Sequence, residues 1–296
     1  MKFIEPVKVT DAVLTTPPVP ETDYPAWSAP TNYAIGDRVV RSTVHRIFEA
    51  LVAGAHAGLP EATPSRWLEV RPTNAWASFD EKVGTLTVAP APAAFVLTPG
   101  MPVDHLALLD VSASAARAVM TVSGVPVYDR MISMEAADTV GDAWEYCFSP
   151  ILRRSIAMFD DLPPYSTGVI TVTLQDTEPV SWGTCIVGQS FEIGESEFGA
   201  RAGITDFSRK ERDQFGAIAV VERAYSKRTQ QIVAIDAGRF DEVFRRLSLA
   251  RAKPLLFIGA AGLYEAFVVY GFFKSLEQEL QTATEAVCSL EIEGLV

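Results

Sequence analysis

Paired acidic side chains are the residues of this sequence with the chemistry needed for acid–base catalysis. Carboxylates lie side by side or one residue apart at three places: Asp160 and Asp161, Glu195 and Glu197, and Glu291 and Glu293. Two carboxylates that flank one bond can act as general acid and general base, as they do in glycoside hydrolysis. Asp160 and Asp161, however, precede the turn sequence LPPY, where aspartate is a common capping residue. We therefore expect structural roles for these pairs.

The histidines and cysteines occur singly, without a catalytic or metal-binding pattern. They are His45, His56, His105, Cys147, Cys185 and Cys288. The sequence contains no HExxH or GxSxG motif. The cysteines are far apart within apolar runs, which is typical of buried thiols in a reducing compartment. We expect no catalytic residue, no metal site and no cofactor, and hence a protein that is not an enzyme.

Aromatic residues cluster in the segment that begins AWSAPTNYAIGDRVV, residues 26–40. Trp27 and Tyr33 precede its turn, and Phe48 and Trp67 follow it. Rings with this spacing either stack on the apolar face of a ligand such as a sugar or form the core of a small module. The sequence leaves both alternatives open. The candidate carbohydrate-binding residues are accordingly Trp27, Tyr33 and Trp67.

A long charged segment with aromatic side chains at intervals covers residues 201–228. Its candidate inter-subunit contacts are Arg201, Phe207, Arg209, Lys210, Arg212, Phe215, Arg223, Lys227 and Arg228. The part that reads SRKERDQFGAIA lacks apolar periodicity over most of its length, which predicts a loop. Long loops in compact domains are usually functional, and mixed charges with aromatic anchors are typical of subunit interfaces. An interface is favoured here over a plain solvated loop.

Composition and charge limit the class of protein. The chain has 296 residues, of which 48% are hydrophobic, so it can form two or three packed domains. Its formal net charge of −12 disfavours binding to nucleic acid. Residues 1–16 lack the apolar core of a secretory signal, which predicts synthesis and retention in the cytoplasm. The absence of a run of about 18 apolar residues predicts that no segment spans a membrane.

Changes in composition divide the chain into four predicted segments. The boundaries are the Pro-rich stretch TTPPVPETDYP, the sequence RPTNAW and the glycine-containing stretch GESEFGARAG. They predict an N-terminal arm and linker at 1–22, a small module at 23–71, a middle domain at 72–195 and a C-terminal domain at 196–296.

The elements of the middle domain are predicted to be short β-strands. The β-branched runs, separated by turn residues, are TLTVA, HLALLDV, AVMTV, VPVYDRMIS, SIAMFD, GVITVTL and GTCIVGQ. Several such strands in one domain indicate an antiparallel sandwich or jelly roll. A short helical candidate lies at GDAWEYCFSPI.

The C-terminal domain is predicted to contain strands, one amphipathic helix, a hairpin and a last strand. The apolar face of the helix is predicted at Phe240, Val243, Phe244 and Leu247. Asp236 is its expected N-cap, and Pro254 is expected to end it. The hairpin is predicted at PLLFIG and EAFVVYGFFK, and the last strand, AVCSLEIEGL, alternates between apolar and polar residues. The predicted fold class is therefore mainly β.

The aromatic segment resembles the small chitin-binding type of carbohydrate-binding module. The matching residues are Trp27, Tyr33, Gly36, Asp37, Val39, Phe48, Pro60 and Trp67. The resemblance implies that some rings form the core while others stack on sugar faces. After Phe48 this sequence reads EALVAGAHAGLP, without the further aromatics that the family often carries. The alternative is a module kept for its shape, with all four aromatic residues in its core.

The remainder of the chain resembles tail-tip proteins of tailed bacteriophages. The resemblance is carried by EFGARAGITDFSRKERDQFGAIAVVERAYSKR and by KPLLFIG, YEAFVVYGFFKS and CSLEIEGLV near the end. These stretches look like the ring-forming β-sandwich of tail tube, distal tail and minor tail proteins. NAWASFD, DLPPYSTGVITVTL and GTCIVGQ are similar to the galactose-binding-like jelly rolls of such proteins. The resemblance implies a virion protein with a long loop, one helix and strands that continue into neighbouring subunits.

Residues and resemblance together predict a structural subunit of a phage tail tip or baseplate, assembled in the host cytoplasm. The C-terminal domain is expected to form a homo-oligomeric ring, with the other β domains displayed outward. Other phage tail proteins are the expected partners, and no direct nucleic-acid binding is expected. The alternative is a carbohydrate-binding adhesin that contacts host surface polysaccharide.

Overall fold

A computed structural model describes residues 1–135, 144, 148, 153–212, 216, 218–260 and 264–295. Strands account for 49% of the residues and helices for 11%, which confirms the predicted mainly β class. The chain folds into two compact units. Unit 1 comprises Met1–Lys8, Val103–Leu106 and Ile186–Val296, and unit 2 comprises Val9–Pro102 and Ala107–Cys185.

The described chain contains 24 strands. In chain order they are β1 (Lys2–Pro6), β2 (Leu14–Thr16), β3 (Asn32–Tyr33), β4 (Arg38–Arg41), β5 (Arg46–Ala50), β6 (Gly54–Ala55), β7 (Trp67–Pro72), β8 (Thr87–Ala89), β9 (Ala93–Leu97), β10 (His105–Leu108), β11 (Ala115–Val122), β12 (Val125–Ser133), β13 (Ala157–Phe159), β14 (Val169–Gln175), β15 (Val180–Trp182), β16 (Cys185–Glu192), β17 (Glu195–Ser196), β18 (Arg201–Asp206), β19 (Arg209–Arg212), β20 (Ile218–Val221), β21 (Tyr225–Asp236), β22 (Leu255–Ile258), β23 (Val268–Leu280) and β24 (Glu285–Gly294).

Helices are short. The α-helix α1 is Phe240–Ala250, and the 3₁₀ helices are Pro60–Ala62, Asn74–Phe79, Ala237–Arg239 and Glu265–Phe267. Of the helical candidate GDAWEYCFSPI, only Trp144 and Phe148 belong to the described residues; the rest of it lies outside them. No helix in the described parts of the chain is both long and apolar enough to cross a membrane.

The small aromatic module forms part of unit 2. Strands β4, β5 and β7 make an antiparallel three-stranded sheet, and β3 pairs with β6. Gly36 turns the chain before β4 with φ of 90°, a conformation that a glycine adopts without steric cost. In the same turn the carboxylate of Asp37 accepts a hydrogen bond of 2.6 Å from the Ala34 N–H. This turn brings β4 alongside β5, with Val39 opposite Phe48.

The larger part of unit 2 is an antiparallel sheet in the order β12–β11–β14–β9–β2, accompanied by the pair β15–β8. Strand β14, predicted at GVITVTL, alternates between buried and half-buried residues, and its Ile170, Val172 and Leu174 are fully buried. The two sheets meet where Trp182 of β15 stacks on Phe95 of β9, with ring centroids 5.6 Å apart. Packing of one sheet face on another is the arrangement of a β-sandwich.

Unit 1 is built on one long antiparallel sheet. The order of its strands is β16–β1–β22–β23–β24–β21, and both β17 and β18 pair with the outer side of β21. The predicted hairpin of β22 and β23 is confirmed. Strand β24 also alternates as predicted, with Ala286, Cys288, Leu290 and Ile292 all buried. These side chains belong to the core of the unit.

Helix α1 covers this core as the sequence predicted, but with a narrower apolar face. Val243, Leu247 and Ala250 are buried against the core, whereas Phe244 is 52% exposed. Phe244 was predicted on the buried face; it follows Val243 by one residue and therefore points about 100° away from it. Asp236 caps the turn that leads into the helix, because its side chain accepts a hydrogen bond from the Gly238 N–H.

Candidate functional site

Most of the described residues in the range 201–228, predicted as a loop, form antiparallel strands, so the loop prediction was wrong. Strand β18 pairs with β21, with Arg201 opposite Gln230. Strand β19 pairs with β20, with Arg212 opposite Ile218. The prediction failed because apolar alternation arises only where a strand buries one face. Every residue of β19 is exposed, so its sequence carries no such pattern.

The two strand pairs join into one ribbon. Between them, the Phe207 N–H donates to the Ala224 carbonyl at 3.3 Å, and the Arg223 N–H donates to the Ser208 Oγ at 3.1 Å. The ribbon also extends past the sheet, because β24 pairs with β21 only as far as Arg228. We name residues 201–228 the β-arm; its Phe215 lies outside the described residues.

The β-arm exposes apolar side chains on a ribbon that is only two strands wide. Its exposed apolar residues are Ile204, Phe207, Val220, Val221 and Tyr225. Ile204 is 64% exposed and Val220 is 60% exposed. Such side chains contribute little to the folding of one chain, and an exposed ribbon of this kind is typical of a contact surface.

Asp206 fixes the junction between the two halves of the β-arm. Its carboxylate accepts a hydrogen bond of 2.8 Å from the Ser208 N–H and lies 3.1 Å from Lys210 Nζ. The hydrogen bonds from Ser208, together with Lys210, lower the pKa of Asp206 to about 2. The carboxylate is therefore ionised at any physiological pH and holds the turn that continues β18 into β19.

The remaining predicted interface residues fall into two groups. Arg209, Lys210, Arg212 and Arg223 lie along the outer half of the β-arm, where Arg209 forms an ion pair with Glu211. Arg201, Lys227 and Arg228 lie at its base. There, Arg201 and Arg228 line a cavity of about 380 Å³ together with Gln230 and Glu291. The structure thus places all the described candidates on one continuous element.

A second, larger cavity lies at the sheet edge where the β-arm begins. Its volume is about 650 Å³, and its lining combines three carboxylates with three aromatic rings: Glu192, Glu195, Glu197, Phe198, Tyr264 and Phe267. Met1 also lines it, and the N-terminal ammonium interacts with Glu192 and Glu195, so the three carboxylates outweigh one positive charge. The ring of Phe198 is fully exposed. We name this feature the acidic aromatic cavity. Sequence analysis singled out Glu195 and Glu197 as a carboxylate pair but did not connect them with the aromatic residues, because Tyr264 and Phe267 are distant in sequence.

Two glycines shape the edge of the acidic aromatic cavity. A Cβ at Gly194 would lie 2.0 Å from the Ala234 carbonyl oxygen, so only glycine allows the chain to approach β21 there. Gly199 has φ of 100° and turns the chain between β17 and β18. That turn leaves Phe198 outside both strands, with its ring in solvent.

The aromatic residues proposed for sugar binding lie in and around the core of the small module. Trp67 is 2% exposed and Tyr33 is 8% exposed, and both belong to a core cluster with Phe48. The Tyr33 and Trp67 rings meet edge to face, with centroids 5.1 Å apart. The Tyr33 hydroxyl donates to the Ser28 carbonyl at 3.0 Å and accepts from the Ser28 N–H at 2.8 Å. Neither ring presents a free face to solvent.

Trp27 is half-buried at the margin of the same cluster. The guanidinium of Arg41 lies 5.0 Å from the centre of its ring, within the range of a cation–π contact. Arg41 is itself held by Glu61, which lies 2.9 Å away. The hydrogen bond from Arg41 lowers the pKa of Glu61, and this charge pair covers the tryptophan.

The carboxylate pair Asp160 and Asp161 forms ion pairs with Arg130 of strand β12. Arg130 Nη1 lies 3.2 Å from Asp160 and 2.9 Å from Asp161, and the Tyr128 hydroxyl donates to Asp161 at 2.6 Å. Burial raises the pKa of Tyr128 well above its ordinary value, and the hydrogen bond to Asp161 reinforces the rise. All four side chains tie a loop to β12, which is the structural role expected of the pair.

His105 takes part in a buried polar chain within unit 1. Its Nδ1 lies 2.9 Å from Asp104 and its Nε2 lies 2.7 Å from Lys2 Nζ, while the Ser190 hydroxyl donates to Asp104 at 2.7 Å. Burial opposes ionisation of Asp104, but the hydrogen bonds from Ser190 and His105 outweigh it and lower its pKa. Sequence analysis missed this cluster because its members come from three separate strands. It ties the N-terminal strand to β16.

The other two histidines are also bonded to neighbouring groups. His45 stacks on Trp76, with ring centroids 3.8 Å apart, and its nitrogens lie 2.6 Å from Glu21 and 2.7 Å from Asp11. His56 is buried, and its Nε2 lies 2.8 Å from the Val52 carbonyl oxygen. These contacts join a linker and a loop to the small module.

The described cysteines are buried thiols. Burial raises the pKa of Cys288 to about 11 and that of Cys185 further still, so neither is a reactive thiolate. Among the residues that the structure describes, no group of three or more His, Cys, Asp and Glu side chains is arranged to hold a metal ion. Cys147 lies outside those residues.

No protein-family model matches this chain, and no curated protein matches it.

Proposed function

We propose that this chain is a structural subunit that assembles with copies of itself into a ring, of the kind found in the tail tip or baseplate of tailed bacteriophages. The observation that carries the proposal is the β-arm, a two-stranded ribbon with apolar side chains exposed along it. The sequence resemblance to ring-forming tail proteins supports the choice of assembly. The site of action is then the virion, with other tail proteins as neighbours.

The exposure of the β-arm supports assembly on physical grounds. A two-stranded hairpin is marginally stable at best in water, because neither of its faces is covered. Ile204, Val220 and Val221 gain from leaving water only when another surface covers them, at about 25 cal/mol for each Å² buried. Among the described strands β18 pairs with β21 alone, so its other edge also offers backbone groups to a further strand. The surface of a partner chain can cover the apolar side chains and also pair with the edge of β18.

Charge favours a second copy of the chain as that partner. The β-arm holds seven basic and four acidic residues, a net charge of +3, whereas the whole chain has −12. The other residues therefore carry −15, so the β-arm of one copy is attracted to the body of another. A contact between two different surfaces of identical chains repeats from copy to copy and closes into a ring when the rotation allows.

The small aromatic module is proposed to be an outward domain retained for its shape. Its aromatic rings are used by its own core, with Trp67 and Phe48 almost completely buried. This burial supports the packing alternative over stacking on host polysaccharide.

Removal of the outer β-arm tests the proposal. A variant in which residues 207–224 are replaced by a short glycine-containing turn keeps β18 and β21, which lie next to the sheet. We expect this variant to be a folded monomer, while the intact chain forms oligomers. Light scattering after size-exclusion chromatography gives the mass, and circular dichroism reports the fold.

Point variants provide a matched control for the deletion. Ile204→Ser with Val220→Ser alters the β-arm, and Val127→Ser with Met131→Ser alters exposed apolar residues of strand β12 in unit 2. Only the first pair is expected to weaken oligomers. Oligomers that persist after both the deletion and the first pair of substitutions would refute assembly through the β-arm.

A further inference from the structure

We infer that the acidic aromatic cavity is the acceptor for the β-arm of a second copy of this chain. This inference rests on the proposed self-assembly and names the surface that receives the arm. Three carboxylates and three aromatic rings line the cavity, which has a volume of about 650 Å³. A basic side chain next to an apolar one is the chemistry that such a cavity accommodates.

One face of the outer β-arm carries that chemistry. Lys210 is opposite Val220 in the ribbon, and residues directly opposite each other in antiparallel strands project to the same side. Arg212 lies two residues after Lys210 and so projects to this side as well. All three side chains are exposed. We name Lys210, Arg212 and Val220 the basic face of the β-arm.

The opposite face of the ribbon is less suited to an acidic partner. Arg209 on that face forms an ion pair with Glu211, which lies on the same side of the same strand. The pair is internally neutral, and Val221 is opposite Arg209. On the basic face, Asp206 offsets the charge of Lys210, and Arg212 adds a further positive charge. The basic face therefore remains the more positive of the two, and it is the one that the acidic aromatic cavity attracts.

Acidic side chains and aromatic rings both line the cavity. Phe198 is fully exposed and Tyr264 is 61% exposed, so both rings can be covered by an incoming side chain. A guanidinium or ammonium group over a ring is stabilised by the electrons of the ring, and nearby carboxylates add to this attraction. Arg212 and Lys210 meet both requirements, while Val220 fits against the rings.

Within one chain, the basic face of the β-arm lies far from the acidic aromatic cavity. The cavity includes Ala200, at the start of the β-arm, and Lys210 follows it by ten residues. At about 3.3 Å per residue in an extended strand, the path along the ribbon between the two is roughly 30 Å. Backbone pairing holds both halves of the ribbon extended on either side of the turn at Asp206, so the basic face does not reach the cavity of its own chain. The cavity that accepts the basic face therefore belongs to another copy.

A charge-reversal pair tests the inference with full-length chains. The arm variant carries Lys210→Glu and Arg212→Glu, and the cavity variant carries Glu195→Lys and Glu197→Lys. Each variant alone opposes like charges at every contact, so we expect the concentration for half-assembly to rise about tenfold or more. In an equimolar mixture each reversed arm meets a reversed cavity, and each original arm meets an original cavity. We expect the mixture to assemble at close to the concentration of the unaltered chain.

Matched controls separate local pairing from general charge effects. Glu277→Lys with Glu279→Lys changes the net charge by the same amount on exposed residues of β23, outside the cavity. We expect this variant to assemble like the unaltered chain and not to rescue the arm variant. The uncharged variant Phe198→Ser is expected to weaken assembly without any change in charge, and thermal unfolding confirms that each variant is folded.

The outcomes distinguish the acceptor from the assembly itself. A mixture that fails to assemble, or a cavity variant that assembles normally, overturns the acceptor site while leaving oligomerisation through the β-arm intact. An unaltered chain that stays monomeric at every concentration overturns the proposed function instead. Rescue by the mixture, without rescue by the control variant, supports the inference.

Discussion

Gln231 of strand β21 is a polar side chain in an apolar position. It is fully buried, and neither its amide nitrogen nor its amide oxygen has a hydrogen-bond partner among the described residues. Its neighbours on the strand, Val233 and Ile235, belong to the core of unit 1. The backbone of Gly259 packs closely on the amide, since a Cβ there would lie 2.5 Å from Nε2. A buried amide without partners costs free energy, because it gives up its hydrogen bonds to water.

Replacement of Gln231 by leucine is predicted to stabilise the protein. Gln231→Leu replaces the amide by a branched apolar group of similar volume and removes the unpaired polar atoms, so we expect the free energy of unfolding to rise by about 1–3 kcal/mol. Gln230→Leu is the matched control, because Gln230 is the preceding residue and is exposed. The control is expected to change stability by less than about 0.5 kcal/mol. Urea unfolding measures both, and a destabilised Gln231→Leu variant would show that the amide has a partner.

Helix α1 and the small module show what can and what cannot be predicted from sequence patterns. Helix α1 was predicted because it buries one stripe, with Val243 and Leu247 four residues apart. The aromatic spacing of the small module was also visible, but spacing alone does not determine whether a ring is buried or exposed. Only the fold shows that Tyr33 and Trp67 face each other.

Trp67 allows a test of the small module as an element. Its ring packs against Tyr33 and lies 5.5 Å from the ring of the buried His56. We expect Trp67→Ala to destabilise the module by about 3–5 kcal/mol, since it removes the largest side chain of the core. Leu68→Ala is the control, because Leu68 is the next residue of β7 and is 51% exposed. Limited proteolysis of residues 23–71 reports the difference.

A different result with Trp67→Ala would restore the sugar-binding alternative. If the variant remains as stable as the control but loses the binding of the unaltered chain to chitin or host polysaccharide, the Trp67 ring binds a ligand. If the variant becomes protease-sensitive and the unaltered chain binds no sugar, the Trp67 ring packs in the core.

At the scale of the whole molecule, the mainly β class followed from the sequence, whereas the contact surfaces did not. Strands with one buried face, such as β14 and β24, alternate visibly in sequence. Strands β18 and β19 of the β-arm have no buried face in one chain, so they were mistaken for a loop. The acidic aromatic cavity joins Glu195 with Tyr264, which only the tertiary fold brings together. Surfaces that are completed by another chain leave little periodicity in the sequence.

The net charge of the molecule gives a prediction for the effect of salt on assembly. Two copies at −12 each repel at long range, so a contact that did not use the β-arm would form faster as salt screens the repulsion. A contact between the β-arm at +3 and the remaining surface at −15 is attractive and is weakened by salt. We predict that the association rate falls by about tenfold between 0.05 and 0.5 M NaCl, because the screening length shortens from more than 10 Å to a few Å.

Stopped-flow light scattering of the full-length chain measures this association rate. The dissociation rate is expected to change less, since the apolar side chains Ile204 and Val220 hold the formed contact and are insensitive to screening. A variant with Lys210→Gln and Arg212→Gln removes two positive charges from the β-arm, and its salt dependence is expected to flatten. Association that accelerates with added salt in the unaltered chain would mean that repulsion between whole copies governs the encounter, and the attraction assigned to the β-arm would then be wrong.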